Sequence, residues 1–386
     1  MNKKLLGLLL TTAALVLSFA SAGAGARAAR LGPGAPPVGP CDPTSCVSTV
    51  AFSSTRDHVS EGLTPLLLGA EVYLMKPVMN PDGTWALTNP RRLTSNASFD
   101  GFANLSPDGK KIVFDSTRNT DSTGFINSSD LFLMNTDGTE QTLLTRGSSV
   151  TWSPDSKNIA FHASASGTGT PIRRDVGSAT SDSDIFVANV DDLLAGVEPA
   201  RNLTNSPHII DEDADWSPNG QTIAYTRHAD SDDPVLSNTA EIYLLDADGT
   251  GAPERLTVNN EEERGPSWSP DGTRIVYACR WGADHDSFNP RATFEICVMN
   301  ADGTDVQRLT SNSVPDLTPT FSPDGQQILF HRLVGVLGSG NQELFIMNAD
   351  GTDQAQLTFG TTTSGDGVNN LANWGEPRLT GPNSAQ

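Results

Sequence analysis

Ser106-Pro107-Asp108-Gly109 returns with small changes as Ser153-Pro154-Asp155-Ser156, Ser217-Pro218-Asn219-Gly220, Ser269-Pro270-Asp271-Gly272 and Ser322-Pro323-Asp324-Gly325. The prolines stand 47, 64, 52 and 53 residues apart. A period of that length means one supersecondary unit copied about an axis. Each phrase reads as a tight turn: proline presets φ near −65°, aspartate bonds nearby backbone, and glycine accepts positive φ.

Working outward from the first copy, Phe102–Ser106 is a short strand before the turn and Lys111–Phe114 a β-branched and aromatic strand after it. A polar connection leads to a third strand, Asp130–Asn135. The turn Thr136-Asp137-Gly138-Thr139 then leads to a fourth, Gln141–Thr145. The second strand recurs as Ile159–Phe161, Ile223–Tyr225, Ile275–Tyr277 and Ile328–Phe330. The third recurs at Asp184, Glu241, Glu295 and Glu343, and the fourth ends in Leu-Thr at Leu203, Leu256, Leu309 and Leu357. Four antiparallel strands per unit is a propeller blade. Val50–Arg56, Glu71–Met75 and Arg92–Thr94 supply a unit that lacks its first strand, and Leu371–Gly375 is a first strand without a continuation. The expectation is an all-β, six-bladed propeller of four-stranded antiparallel blades. N- and C-terminal strands share one blade and close the ring, which removes exposed sheet edges. Trp152, Trp216, Trp268, Phe321 and Trp374 precede or match the Ser-Pro position and are expected to pack between blades.

The series Trp-Ser-Pro-Asp-Gly, Ile-x-Phe/Tyr, Glu/Asp-Ile/Leu-Tyr/Phe, Asp-Gly-Thr and Leu-Thr resembles the TolB-like repeat, also called PD40 or WD40-like. The resemblance covers roughly residues 47–380 and implies the propeller fold. TolB itself is periplasmic and carries an α/β domain ahead of its propeller; here a Pro/Gly-rich linker stands there, so the expectation is a TolB-like propeller without that domain. Prolyl oligopeptidase relatives add a hydrolase domain, and this sequence has no Gly-x-Ser-x-Gly elbow.

Residues 1–28 read as a secretory signal: Lys3 and Lys4, then an apolar run to Ala20, with cleavage after Ala22 to Ala28. A linker with a cysteine pair follows at 29–46, the propeller at 47–380 and a tail at 381–386. The expected location is outside the cytoplasm, periplasmic or extracellular, with no membrane span after cleavage. Export favours two disulfides, Cys41–Cys46 and Cys279–Cys297. With 25 basic against 46 acidic residues the formal charge is −21, which argues against nucleic acid as a partner. The chain is expected to be a monomer.

The long connections between second and third strands, 117–129, 163–183, 227–240, 280–293 and 333–342, share one face of the wheel. Loops free of packing duty are the usual place for binding. Five residues before the inter-blade aromatic position stand Asp100, Asp211, Glu263 and Asp316; Gly147 and Asn369 break the series. These acids enter the innermost strands, with Asp213, Glu261 and Glu262 nearby. Two readings stand. The ring holds Ca²⁺ or another divalent cation, or a cationic protein segment; or each acid is a fixture that bonds backbone between blades. His162, His208, His228 and His331 are placed to approach the same mouth. Asp246–Thr250 and the other Asp-Gly-Thr segments lack the remaining ligands of a calcium loop and read as turns. The leading expectation is an exported, non-enzymatic scaffold presenting this acidic face to a protein or glycan partner in the cell envelope or outside. The alternative is a propeller lyase, lactonase or hydrolase with a divalent metal at the channel mouth.

Overall fold

The computed structural model describes residues 49–54, 70–81, 83, 85–87, 91–96, 98–119, 129–165, 171–172, 182–207, 209–228, 240–259, 261–280, 294–334, 342–358 and 369–375. The signal, the Cys41–Cys46 pair and most of the long connections lie outside these residues.

Six antiparallel sheets of at least four strands form the wheel. From axis to rim, blade 1 is Asp100–Leu105, Lys111–Ser116, Asp130–Asn135 and Thr142–Arg146. Blade 2 is Ser148–Trp152, Asn158–Ala165, Asp184–Asn189 and Arg201–Asn202. Blade 3 is Asp211–Trp216, Thr222–His228, Ala240–Asp246 and Glu254–Arg255. Blade 4 is Glu263–Trp268, Arg274–Arg280, Phe294–Asn300 and Gln307–Arg308. Blade 5 is Asp316–Phe321, Gln327–Leu333, Gln342–Asn348 and Ala355–Gln356. Blade 6 joins the two ends: Asn369–Gly375 is innermost and pairs with Thr49–Ser54, followed by Glu71–Met75 and Arg91–Arg92. Each innermost strand touches the next, so the ring is closed. The expected architecture is therefore the observed one.

Successive side chains of a strand face opposite sides of its sheet, and here each side meets a neighbouring blade. In Thr222–His228, Ile223 and Tyr225 pack toward blade 2 and Ala224 toward blade 4. Six apolar clusters result, one in each seam. Trp152, Trp216, Trp268 and Phe321 lie in four of them.

The repeated phrases are explained by bonds. In Ser106-Pro107-Asp108-Gly109 the serine hydroxyl donates to the Asp108 carboxylate at 2.7 Å and accepts the Lys111 N–H at 3.0 Å. Asp108 also accepts the Lys110 N–H, so four residues lock one turn. The acid that opens the third strand and the Leu-Thr that ends the fourth form a second lock. The hydroxyls of Thr257 and Thr310 donate to Glu241 and Glu295 at 2.7 Å and accept the N–H of Ile242 and Ile296 at 2.9 Å. The Asp-Gly-Thr glycine is required by the neighbouring blade. At Gly303, φ is +82° and a Cβ would come within 2.9 Å of the Leu256 carbonyl oxygen.

Three elements lie outside the sequence expectation, one of them the short strand Pro171–Ile172 that pairs with Asn158–Ala165. Blade 2 has no Asp-Gly-Thr turn; a helix, Val190–Ala195, capped by the Asn189 side chain and closed by left-handed Gly196, stands there instead. A hairpin, Pro77–Met79 with Trp85–Leu87, follows the third strand of blade 6 as a separate two-stranded sheet. Among the described residues no helix is long and apolar enough to cross a membrane.

Gly303→Ala should lower stability by about 1–3 kcal/mol, because the backbone strain and the approach to Leu256 add. Gly83→Ala, at φ +83° with nothing within 4 Å of its Cβ, isolates the strain and should lose less. Denaturant unfolding of both variants checks this.

Candidate functional site

Asp100, Asp211, Glu263 and Asp316 each open an innermost strand and are all but fully buried. In three blades the acid is held by an arginine of its own blade. Arg227 grips Asp211 through two nitrogens at 2.6 and 2.7 Å, and Arg332 grips Asp316 at 2.7 Å twice. Arg118 reaches Asp100 at 2.7 Å. Bidentate arginine–carboxylate pairs are among the stronger polar contacts. Each guanidinium also lies over the aromatic pair of its second and third strands. Arg227 stands 5.4 and 5.1 Å from the Tyr225 and Tyr243 ring centres, and Arg332 is 5.2 and 4.7 Å from Phe330 and Phe345. Asparagines four residues upstream, Asn96 and Asn312, add a bond to Asp100 and Asp316. These acids thus bond side chains, those of their own blade's arginine and of the connection from the preceding blade, a fixture of a kind different from the backbone bonds weighed above.

Blade 4 departs from this plan. The residue opposite Glu263 is Cys279, and the one opposite Tyr277 is Cys297. The disulfide between them, with Cα atoms 5.8 Å apart, stands where blades 3 and 5 stack arginine on an aromatic pair. Glu263 is left with Asn259 at 2.7 Å and the Thr257 hydroxyl, which also bonds Glu241. Burial, with Glu241 alongside, pushes the Glu263 carboxyl up to about 8. In blade 2 acid and arginine are lost together: Gly147 and Ala163 occupy the two positions.

Charge that the repeat does not account for gathers at the axial ends of blades 3 and 4. Glu212 bonds the His228 ring at 2.7 Å, and Arg264 of blade 4 approaches it at 3.9 Å. Arg264 also pairs with Glu262, and Arg280 reaches Glu262 at 3.2 Å. Both arginines flank the Phe294 ring. Burial opposes ionisation of Glu212, but the bond and charge of His228, with help from His162 and Arg264, hold its carboxyl down at about 2. Its neighbour Asp213 behaves oppositely: burial and the Glu212 charge push it up to about 7. Unlike the repeat acids, Glu212, His228 and Arg264 keep 20%, 22% and 40% of their side-chain surface, so a ligand can reach them.

Backbone geometry builds this hub. Phe102, Ser149, Asp213, Gly265 and Thr318 occupy the same place in five innermost strands, and all have φ between +49° and +58°. Each sits in a bulge where the register with the second strand shifts. Positive φ at phenylalanine and threonine is costly, and the neighbouring blade helps to hold it: the Thr226 hydroxyl accepts the Gly265 N–H at 3.0 Å.

His331 is buried, its Nδ1 against the Thr318 hydroxyl at 2.6 Å, and burial pushes the imidazole down to about 3. His208 lies outside the described residues. Among the described residues no three of His, Cys, Asp and Glu converge as metal ligands. The role of Asp213 was visible only as nearby charge, because a bulge leaves no mark in a single sequence. The Glu212–His228 pair had a faint signal, as both residues depart from what the other blades carry.

No family model matches the chain. The uncharacterized protein Atu1656 of Agrobacterium fabrum is 26% identical over 204 residues, 46% of this chain and 63% of that protein. The Tol-Pal system protein TolB of Alcanivorax borkumensis is 31% identical over 109 residues, 28% of this chain and 21% of that protein. The chain therefore spans less than two thirds of either relative. The crystal structure of TolB from Acinetobacter baumannii superposes with a TM-score of 0.59 at 19% identity, over 85% of this chain and 67% of that one. Fold and repeat together define a closed, six-bladed propeller built from PD40-type units. In fold it is a TolB-like propeller.

Arg332→Ala should cost about 3–5 kcal/mol, because it strands a buried carboxylate. Glu263→Gln should stay within about 1 kcal/mol at pH 7, since that acid keeps its proton there and the amide replaces it. Chemical unfolding of the two variants side by side checks the contrast.

Proposed function

We propose that this propeller is an exported, non-enzymatic binding scaffold whose long-loop end receives a protein partner in the cell envelope or outside. The observation that carries this reading is a division of labour. The recurring serines, aspartates, threonines and arginines are engaged in locks within the wheel, whereas Glu212, His228 and Arg264 depart from the repeat and stay open to solvent beside Asp213. Such a cluster offers both signs of charge within a few ångströms, which suits recognition of a segment carrying its own charged side chains. The relative named for the Tol-Pal system favours a protein over a glycan as the occupant.

A divalent cation at Asp100, Asp211, Glu263 and Asp316 would have to displace three guanidiniums, which makes the metal-dependent enzyme the second reading. Calorimetry with Ca²⁺ separates the two. Saturable binding that disappears in Asp211→Ala plus Asp316→Ala, with circular dichroism unchanged, would favour the enzyme.

The scaffold reading predicts that Glu212→Gln plus Arg264→Gln lowers partner recovery from an envelope extract at least about tenfold, the effect of roughly 1.4 kcal/mol. Asp302→Asn, in an exposed turn on the opposite face, should leave recovery intact. Equal recovery by both variants would refute a site at the hub.

A further inference from the structure

Two carboxyls, Asp115 fully buried and Asp215 half-buried, join neighbouring blades without any cation. Asp115, in the second strand of blade 1, is fully buried. Its Oδ2 accepts the Ser148 hydroxyl, the Ser149 N–H at 3.3 Å and the Ser129 hydroxyl at 3.2 Å. Its Oδ1 meets no hydrogen-bond partner. Asp215, in the innermost strand of blade 3, accepts the Thr151 hydroxyl of blade 2 on Oδ1 at 3.1 Å. Its Oδ2 accepts the Trp268 N–H of blade 4 at 2.8 Å. The two acids therefore span blades 1 to 4.

Every partner in these contacts is neutral: Ser129, Ser148 and Ser149 around Asp115, and Thr151, Ser267 and the N–H groups of Trp216 and Trp268 around Asp215. The titratable neighbour that shares a partner is Asp213, which takes a bond from Ser149 and is itself pushed up to about 7. Asp100, Asp211 and Asp316 are as buried as Asp115 but have arginines. For Asp115 an ionised carboxylate buried among only neutral donors is unfavourable, and half-buried Asp215 bears the same penalty in part. With all three donors on Oδ2, the Asp115 Oδ1 is the atom left to carry a proton.

We propose that the seams joining blades 1 to 4 are a proton-operated clasp, in which Asp115 and Asp215 hold neighbouring blades as neutral acids and loosen them on ionising. Burial raises the two carboxyls from 3.8 to about 7 and about 6, in keeping with the geometry. Their folded values lie above the unfolded one. The stabilisation is therefore complete below about pH 3.8 and is lost as pH rises through 6 and 7. Acidification from pH 8.5 to 5.5 tightens this half of the wheel.

The test is the thermal midpoint of the full chain between pH 5.5 and 8.5, for the parent and for Asp115→Asn. The amide keeps the acceptor and puts a neutral group where the proton sat. Relative to the parent, the variant should gain at least about 2 °C at pH 8.5 over its standing at pH 5.5. Parallel curves would overturn the clasp. Hydrogen exchange of the parent alone keeps the question answerable should the variant misfold. Corrected for intrinsic rate, Ser148–Trp152 should lose protection above pH 7, whereas Asp316–Phe321, whose acid is held by Arg332, should not. Equal pH response in the two strands would also overturn it.

Discussion

The pairing of Thr49–Ser54 with Asn369–Gly375 is the constraint on which the rest of the structure depends. A blade buries its apolar side chains only against two neighbours, and the first and last units have two neighbours only if the ring closes. The closing ladder is assembled from opposite ends of the chain, so ring stability is tied to one seam made late in sequence. Hydrogen bonds rather than a covalent link hold that seam among the described residues. All six apolar clusters then rest on one another around the wheel.

Repetition explains most of what is charged here. The acid of the innermost strand, an arginine and the aromatic pair beneath form one unit in blades 1, 3 and 5; the arginine is the acid's register partner in blades 3 and 5 and stands two residues further on in blade 1. Blade 4 replaces arginine and one aromatic with a disulfide. The price is a carboxyl, Glu263, that has no cation and shares Thr257 with Glu241. Breaking one side of a buried ion pair is far more harmful than never having the pair, which accounts for the joint absence of acid and arginine in blade 2. What remains after this subtraction is a small set around Glu212, Asp213, His228 and Arg264.

The wheel was legible because the Ser-Pro-Asp-Gly bonds are local: Ser106, Asp108 and Lys111 satisfy one another within six residues, so the same physics writes the same phrase each time. The Asp-Gly-Thr glycine was read as turn chemistry, yet its close approach to Leu256 belongs to another blade and leaves no separate trace. The acid ring was legible as positions and not as partnerships. Asp211 and Arg227, like Asp316 and Arg332, stand sixteen residues apart, and only the strand register brings them together. The helix Val190–Ala195 lies outside the sequence reading because the repeat pattern offers no counterpart for it, although Asn189 and Gly196 are ordinary helix caps. The hub bulges depend on φ at Asp213 and Thr318, for which neither residue type is a signal.

The closed ring can be tested directly by cross-linking its two ends. Thr49 and Gly375 are register partners across the seam, so cysteines at both positions should oxidise to a disulfide, recovered as a 49–375 cross-linked peptide in mass spectrometry. The account predicts efficient formation in the native protein, a higher unfolding midpoint, and none in denaturant before refolding. A native protein that leaves both thiols free, or forms the link without gaining stability, would contradict a wheel closed by its own termini.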